Sequence, residues 1–125
     1  MDNLAHRGAC GCDPKTGDGA GMLIQMPHKF FEHNAGIALP KPDQYAVSMV
    51  FLPQETDHRL TSEQMIERII TDEGQHVLGW RDVPVNNSDV GYTAKKSQHC
   101  IRQIFIGKSA GISDSAQFER ILYVI

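Results

Sequence analysis

The sequence predicts an α+β fold, on three observations. Short runs rich in aromatic and β-branched residues close on prolines or glycines. One long segment carries helical apolar spacing. The 125 residues, 41% hydrophobic and 22% charged, allow one domain able to bury a core without a metal or disulfide staple.

Residues 1–43 read as a glycine-rich segment. Five of the first twenty-one positions are glycine (Gly8, Gly11, Gly17, Gly19 and Gly21), so this stretch is expected to be loop. Met22–Met26 is a short apolar run stopped by Pro27, and it predicts a strand. His28–His33 follows a proline and precedes Asn34–Gly36, which predicts a short helix. Ala38–Asp43, with two prolines, is a turn or linker.

Residues 44–125 read as alternating elements. Gln44–Leu52 ends at Pro53 and predicts a strand, its near-continuous apolarity suggesting burial on both faces. Thr61–Glu73 predicts a helix: Thr61 and Gln64 fit a capping box, Met65, Ile66, Ile69 and Ile70 share one face, and Gly74 ends it. His76–Val85 and Ile101–Ile106 predict strands, with Asn86–Asp89 a turn. Asp114–Arg120 predicts a helix and Ile121–Ile125 a last strand. The resulting β-α-β-β-α-β order is that of a ferredoxin-like sandwich.

Charge and cysteine usage exclude several function classes. Twelve Lys and Arg against fifteen Asp and Glu give a formal net charge of −3, without the basic excess that nucleic acid or an anionic membrane attracts. The N-terminus has no signal-peptide pattern, and the longest near-apolar run, Tyr45–Leu52, is too short to span a bilayer. Three cysteines, Cys10, Cys12 and Cys100, do not make a disulfide framework, so a reducing, cytoplasmic setting is expected.

The glycine loop lacks the Gly-Lys-Ser/Thr of a phosphate-binding loop and the preceding strand of a dinucleotide loop. A calcium loop begun at Asp13 would place Lys15, Gly17 and Ile24 where oxygen ligands are needed. His6, Cys10 and Cys12 have zinc-ligand chemistry but no paired Cys-x2-Cys clip, so no metal site is expected. The same three residues are a weak nucleophile set, because catalytic Cys and His usually come from separate elements. Trp80, beside Arg81 and Asp82, reads as a core anchor next to a charge pair, and Cys100 as a small packed residue. These residues by themselves support a soluble α+β domain and no particular reaction.

The string HRGACGCDPKTGDGAGMLIQMPHKFF, His6 through Phe31, resembles the glutamine amidotransferase class II domain of the glutamate synthase large-subunit family. The likeness continues through YAVSMVFLP, LGWRDVPV, IRQIFI and FERILYVI, in the family's order. His6, Arg7 and Gly8 form the His-Arg-Gly signature shared more widely by class II amidotransferases.

The resemblance implies part of an N-terminal nucleophile hydrolase fold, with stacked sheets between helices (αββα), that takes ammonia from glutamine. In that family an N-terminal cysteine attacks the side-chain amide, its own α-amine serves as base, and water then hydrolyses the glutamyl thioester. Here Met1-Asp2-Asn3 opens the chain and the cysteines are internal, so no catalytic residue is assigned and the isolated chain is expected to be inactive. The resemblance places His6, Arg7 and Gly8 beside the nucleophile, with Asp13, Gly17, Asp18, Gly19 and Gly21 as supporting loop. It implies FMN and an iron–sulfur cluster for the parent enzyme but not for these residues. The expected partners are glutamine and the remainder of the parent polypeptide. The alternative is a non-catalytic binding or oligomerisation module derived from such a domain, in which Gln44–Ile125 mediates association and the apolar end Leu122–Ile125 makes an edge prone to pairing.

Overall fold

The structure, a computed structural model, describes Lys15 and residues 21–125. The chain divides into two compact units, one made of Met26–Val83 with His99–Ile125, the other of Met1–Gln25 with Pro84–Gln98.

The first unit opens with α1, His28–Asn34. Pro27 has no amide to leave unsatisfied, and its carbonyl accepts the Phe30 and Phe31 amides at 3.0 and 3.2 Å, starting the turn. Asp43 then adopts φ 66° in the turn that leads into β1, Tyr45–Leu52, which Pro53 terminates. α2 spans Thr56–Asp72 and β2 His76–Asp82. Between them Gly74, at φ 74°, is the left-handed residue that lets the Gly74 and Gln75 amides bond back to Thr71 and Ile70. α3, Tyr92–Lys96, belongs to the second unit. β3, Cys100–Gly107, and α4, Ser115–Val124, complete the first.

The three strands form one antiparallel sheet in the order β1-β3-β2. Tyr45 lies opposite Gly107 and Leu52 opposite Cys100 on one side of β3, while Trp80 lies opposite Ile104 on the other. Since β1 and β2 both run against β3, they are parallel to each other with β3 between them, which is the split β-α-β arrangement.

Strand alternation sorts the core onto two faces. Ile104 and Ile106 meet Ile66 and Ile70 of α2 and Leu122 and Ile125. Phe105 faces the other way, against Tyr45 and Phe31 of α1, with Phe31 edge-on to Phe105 at 5.2 Å. Helices thus cover both sides, and the class is mixed α and β as expected.

Several expectations are corrected. Met22–Met26 forms no strand; Met22, Leu23 and Ile24 are exposed, and a lone strand without a partner ladder gains nothing from its apolar face. α2 begins at Thr56 rather than Thr61, so the capping-box reading fails: Thr61 sits inside the helix, its hydroxyl donating to the Asp57 carbonyl at 2.9 Å. β2 stops at Asp82 rather than Val85. α3, Tyr92–Lys96, has no counterpart among the predicted elements, which name only the Asn86–Asp89 turn between β2 and β3.

β1 is not buried on both faces. Met49 and Phe51 are exposed, because α1 covers only the Tyr45 end of that side.

The most consequential correction is at the C-terminal end. Ile121–Ile125 is not a strand, since α4 continues through Val124. Phe118, Leu122 and Ile125 recur at helical spacing, and that stripe is the side that packs inward. The element order from Tyr45 onward is therefore β-α-β-α-β-α, without a fourth strand, and Leu122–Ile125 offers no sheet edge for self-association.

Candidate functional site

His6, Arg7, Gly8, Asp13, Gly17, Asp18 and Gly19, together with Cys10 and Cys12, lie outside the described residues. Gly21 is described and is exposed, with nothing near the position a Cβ would occupy. Lys15 approaches Asp89 at 4.0 Å, both side chains well exposed, an ion pair of small energetic consequence.

What the structure builds on the described residues is a scaffold, and two of its polar ties join helix to sheet through side chains on both sides. The first joins α1 to β1. The Tyr45 hydroxyl and His28 Nδ1 are 2.8 Å apart, and His28 Nε2 is 3.5 Å from a Glu32 carboxylate oxygen one helical turn on. Burial, and then the nearby Glu32 carboxylate, push the Tyr45 phenol above its ordinary value near 10.0, so it stays protonated beside the imidazole, the tautomer of which sets which group donates. Tyr45 is buried, and so this chain of groups fastens a helix rather than meeting a substrate.

The second tie joins α2 to the sheet. Arg102 Nη1 donates to Glu63 Oε1 at 2.6 Å and its Nε to Asp82 Oδ1 at 2.7 Å, with the guanidinium over the Trp80 ring at 5.3 Å. Trp80 Nε1 donates to Glu67 Oε1 at 2.7 Å. Burial lowers the Arg102 pKa, but the hydrogen bonds and charges of Glu63 and Asp82 more than reverse this, leaving the cation firmly held.

Neither tie was anticipated from the sequence, although a signal was present. Glu63, Ile66, Glu67 and Ile70 share one helical face, and Arg102 alternates in phase with Ile104 and Ile106. Carboxylates on an apolar stripe require a cation from whatever packs on it. Trp80 is only partly buried, packed against the Ile70, Ile104 and Ile106 cluster, and the expected charge pair beside it is not formed: Asp82 bonds to Arg102, while Arg81 donates to Gln103 and to the Asn34 carbonyl.

An open groove of about 420 Å³ lies between β1 and the helices, lined by Ala46, Ser48, Val50, Ile104, Leu122 and Ile125 among others. Its lining carries no ionisable side chain, so it has no acid, base or charged clamp for catalysis. Among the described residues no group of three or more His, Cys, Asp or Glu could hold a metal ion, and Cys100 is the one described cysteine. The described donor set therefore does not fit an iron–sulfur cluster, which takes several cysteine thiolates. No described helix is long and apolar enough to cross a membrane.

The sequence profile of the class-II glutamine amidotransferases matches residues 1–125, and the chain belongs to that family. Among characterised proteins it is 50% identical over 123 residues to the glutamate synthase [NADPH] large chain of Bacillus subtilis (strain 168), covering 98% of this chain and 8% of that protein. It is 42% identical over 123 residues to the glutamate synthase [NADPH] large chain of Azospirillum brasilense, covering 96% of this chain and 8% of the relative. The ferredoxin-dependent glutamate synthase of Oryza sativa subsp. japonica, a chloroplastic protein, is 39% identical over 124 residues, again covering 97% of this chain and 8% of the relative. The chain thus spans a small fraction of the length of the relatives it matches.

Proposed function

We propose that these residues form part of the glutaminase domain of a glutamate synthase, cut from the αββα fold of an N-terminal nucleophile hydrolase. The observation that carries the reading is the continuity of the match, which runs from the His6-Arg7-Gly8 signature through the whole described scaffold. In the parent enzyme glutamine would be hydrolysed to glutamate and ammonia, and the ammonia used in reductive amination of 2-oxoglutarate.

The role of this chain's residues follows from their chemistry. Arg7 would hold a carbonyl or carboxylate of the substrate through the fixed fork of its guanidinium, and Gly8 would let the backbone come close to it. His6 would pack beside the nucleophile, with Asp13, Gly17, Asp18, Gly19 and Gly21 supporting that wall. Cys10, Cys12 and Cys100 are internal to the sequence and have no free α-amine of their own to act as base, so none of them is proposed as the nucleophile. FMN and the iron–sulfur cluster belong, on this reading, to other parts of the parent enzyme.

Ammonium release from glutamine is the test. The full-length polypeptide carrying these residues is expected to release it, and the isolated chain is not. Arg7→Lys in the full-length protein is expected to raise KM for glutamine, because an ammonium cannot reproduce the paired donors. Turnover by the isolated chain, or none by the full-length protein, would overturn the proposal.

A further inference from the structure

The two edges of the sheet differ in construction. Along β2, His76, Arg81 and Asp82 place polar and charged groups, and the register shifts between Val77 and Gly79. Charges and bulges of this kind keep an edge from pairing further. β1, YAVSMVFL, has no charged residue, no proline and an unbroken register with β3. Such an edge, left in water, invites another strand.

The hydrogen-bond phase identifies the open groups. The Lys108 amide donates to the Gln44 carbonyl at 2.9 Å, and the register continues with Tyr45 opposite Gly107. Bonded and non-bonded pairs alternate along an antiparallel ladder. Ala46, Ser48, Val50 and Leu52 therefore bond to β3, while the N–H and C=O groups of Tyr45, Val47, Met49 and Phe51 face outward. No described strand meets them. Beside this edge runs the apolar groove, with Leu122 and Ile125 of the α4 end on its far wall.

We propose that the β1 edge receives an extended, uncharged segment from elsewhere in the longer glutamate synthase polypeptide, which bonds to Tyr45, Val47, Met49 and Phe51 and sends alternate apolar side chains into the groove. The inference rests on the parent-enzyme reading above, in which these residues correspond to 8% of the matched relatives' length. A covalently attached segment competes at an effective concentration near millimolar, about a thousandfold above a micromolar second copy, and so takes the edge first. The uncharged strand accepts such a segment in either direction without like-charge conflict.

Residue-resolved amide hydrogen exchange on the full-length polypeptide tests this. Tyr45, Val47, Met49 and Phe51 are expected to be protected to within about tenfold of Ala46, Ser48 and Val50. Met49→Pro removes one outward N–H without touching a bond to β3, and is expected to speed exchange at Val47 and Phe51 by about tenfold or more, with Met49→Ala as the control for lost side-chain packing. Protection of Ala46 and Ser48 reports that the variant remains folded; if it does not, the wild-type comparison decides alone. Free exchange at the outward amides overturns the proposal, as does protection that fades on dilution, which would mean a second copy. Glutaminase activity is scored separately: protected amides without it would refute the parent-enzyme reading, and activity without protection would refute only the edge.

Discussion

Removing the Arg102 guanidinium should be among the most damaging single changes to the scaffold. Glu63 has a side chain only 9% exposed, whereas Asp82 is 82% exposed, yet Arg102 contacts both at nearly the same distance. Distance alone would rank the two partners equally; burial separates them. Arg102→Ala leaves the Glu63 carboxylate in the interior without its cation, a change that costs about 3–5 kcal/mol where a buried pair is broken. The Arg102 side chain is 19% exposed, so water reaches the gap and the lower end, about 3 kcal/mol, is the expectation. Asp82→Ala should cost under about 1 kcal/mol, as for an exposed pair. The double variant Arg102→Met with Glu63→Leu replaces both ends by apolar groups and should recover most of the loss.

Urea unfolding provides the assay, followed by circular dichroism and by the fluorescence of Trp80, the one tryptophan, which lies under the guanidinium. Equal costs for Arg102→Ala and Asp82→Ala would refute the reasoning. So would strict additivity of the Arg102 and Glu63 changes, because a shared interaction must appear as a coupling term.

Alkaline stability should depend on Tyr45. Its folded pKa is raised, so its contribution is full below its ordinary value near 10.0 and is lost as pH rises through the folded pKa, by at most about 1.4 kcal/mol per pH unit; Tyr45→Phe should remove that part of the slope in chemical unfolding measured between pH 9 and 11. Gly74→Ala forces a side chain into φ 74° and should lower stability by about 1 kcal/mol, read as a shift in the urea midpoint with unchanged slope. Asp114 caps α4 by accepting the Ala116 amide at 3.0 Å; Asp114→Ala should cost about 1 kcal/mol and Asp114→Asn much less, since the amide oxygen can still accept.

The local code of the chain was legible where a single residue imposes a conformation. Pro27 starting α1, Pro53 ending β1 and Gly74 ending α2 act through their own backbone restrictions, so they could be read without knowing any neighbour. The family was legible for a different reason, the length and order of the matched strings. The glycine-loop residues named as site-proximal lie outside the described structure, so their role stands as a proposal about the parent enzyme.

Other features needed the tertiary structure because their cause is non-local. An apolar five-residue run is compatible with strand or helix, and only the surroundings choose. Met22–Met26 lacks a partner ladder and forms no strand, whereas Ile121–Ile125 continues α4 because Leu122 and Ile125 meet Ile70, Ile104 and Ile106. The Arg102–Glu63 pair joins residues 39 positions apart, and its burial depends on β3 lying between β1 and β2. Sequence by itself determined the punctuation and the kinship; packing decided which apolar runs became strands and which charges became internal, since burial is a property of what two segments do together.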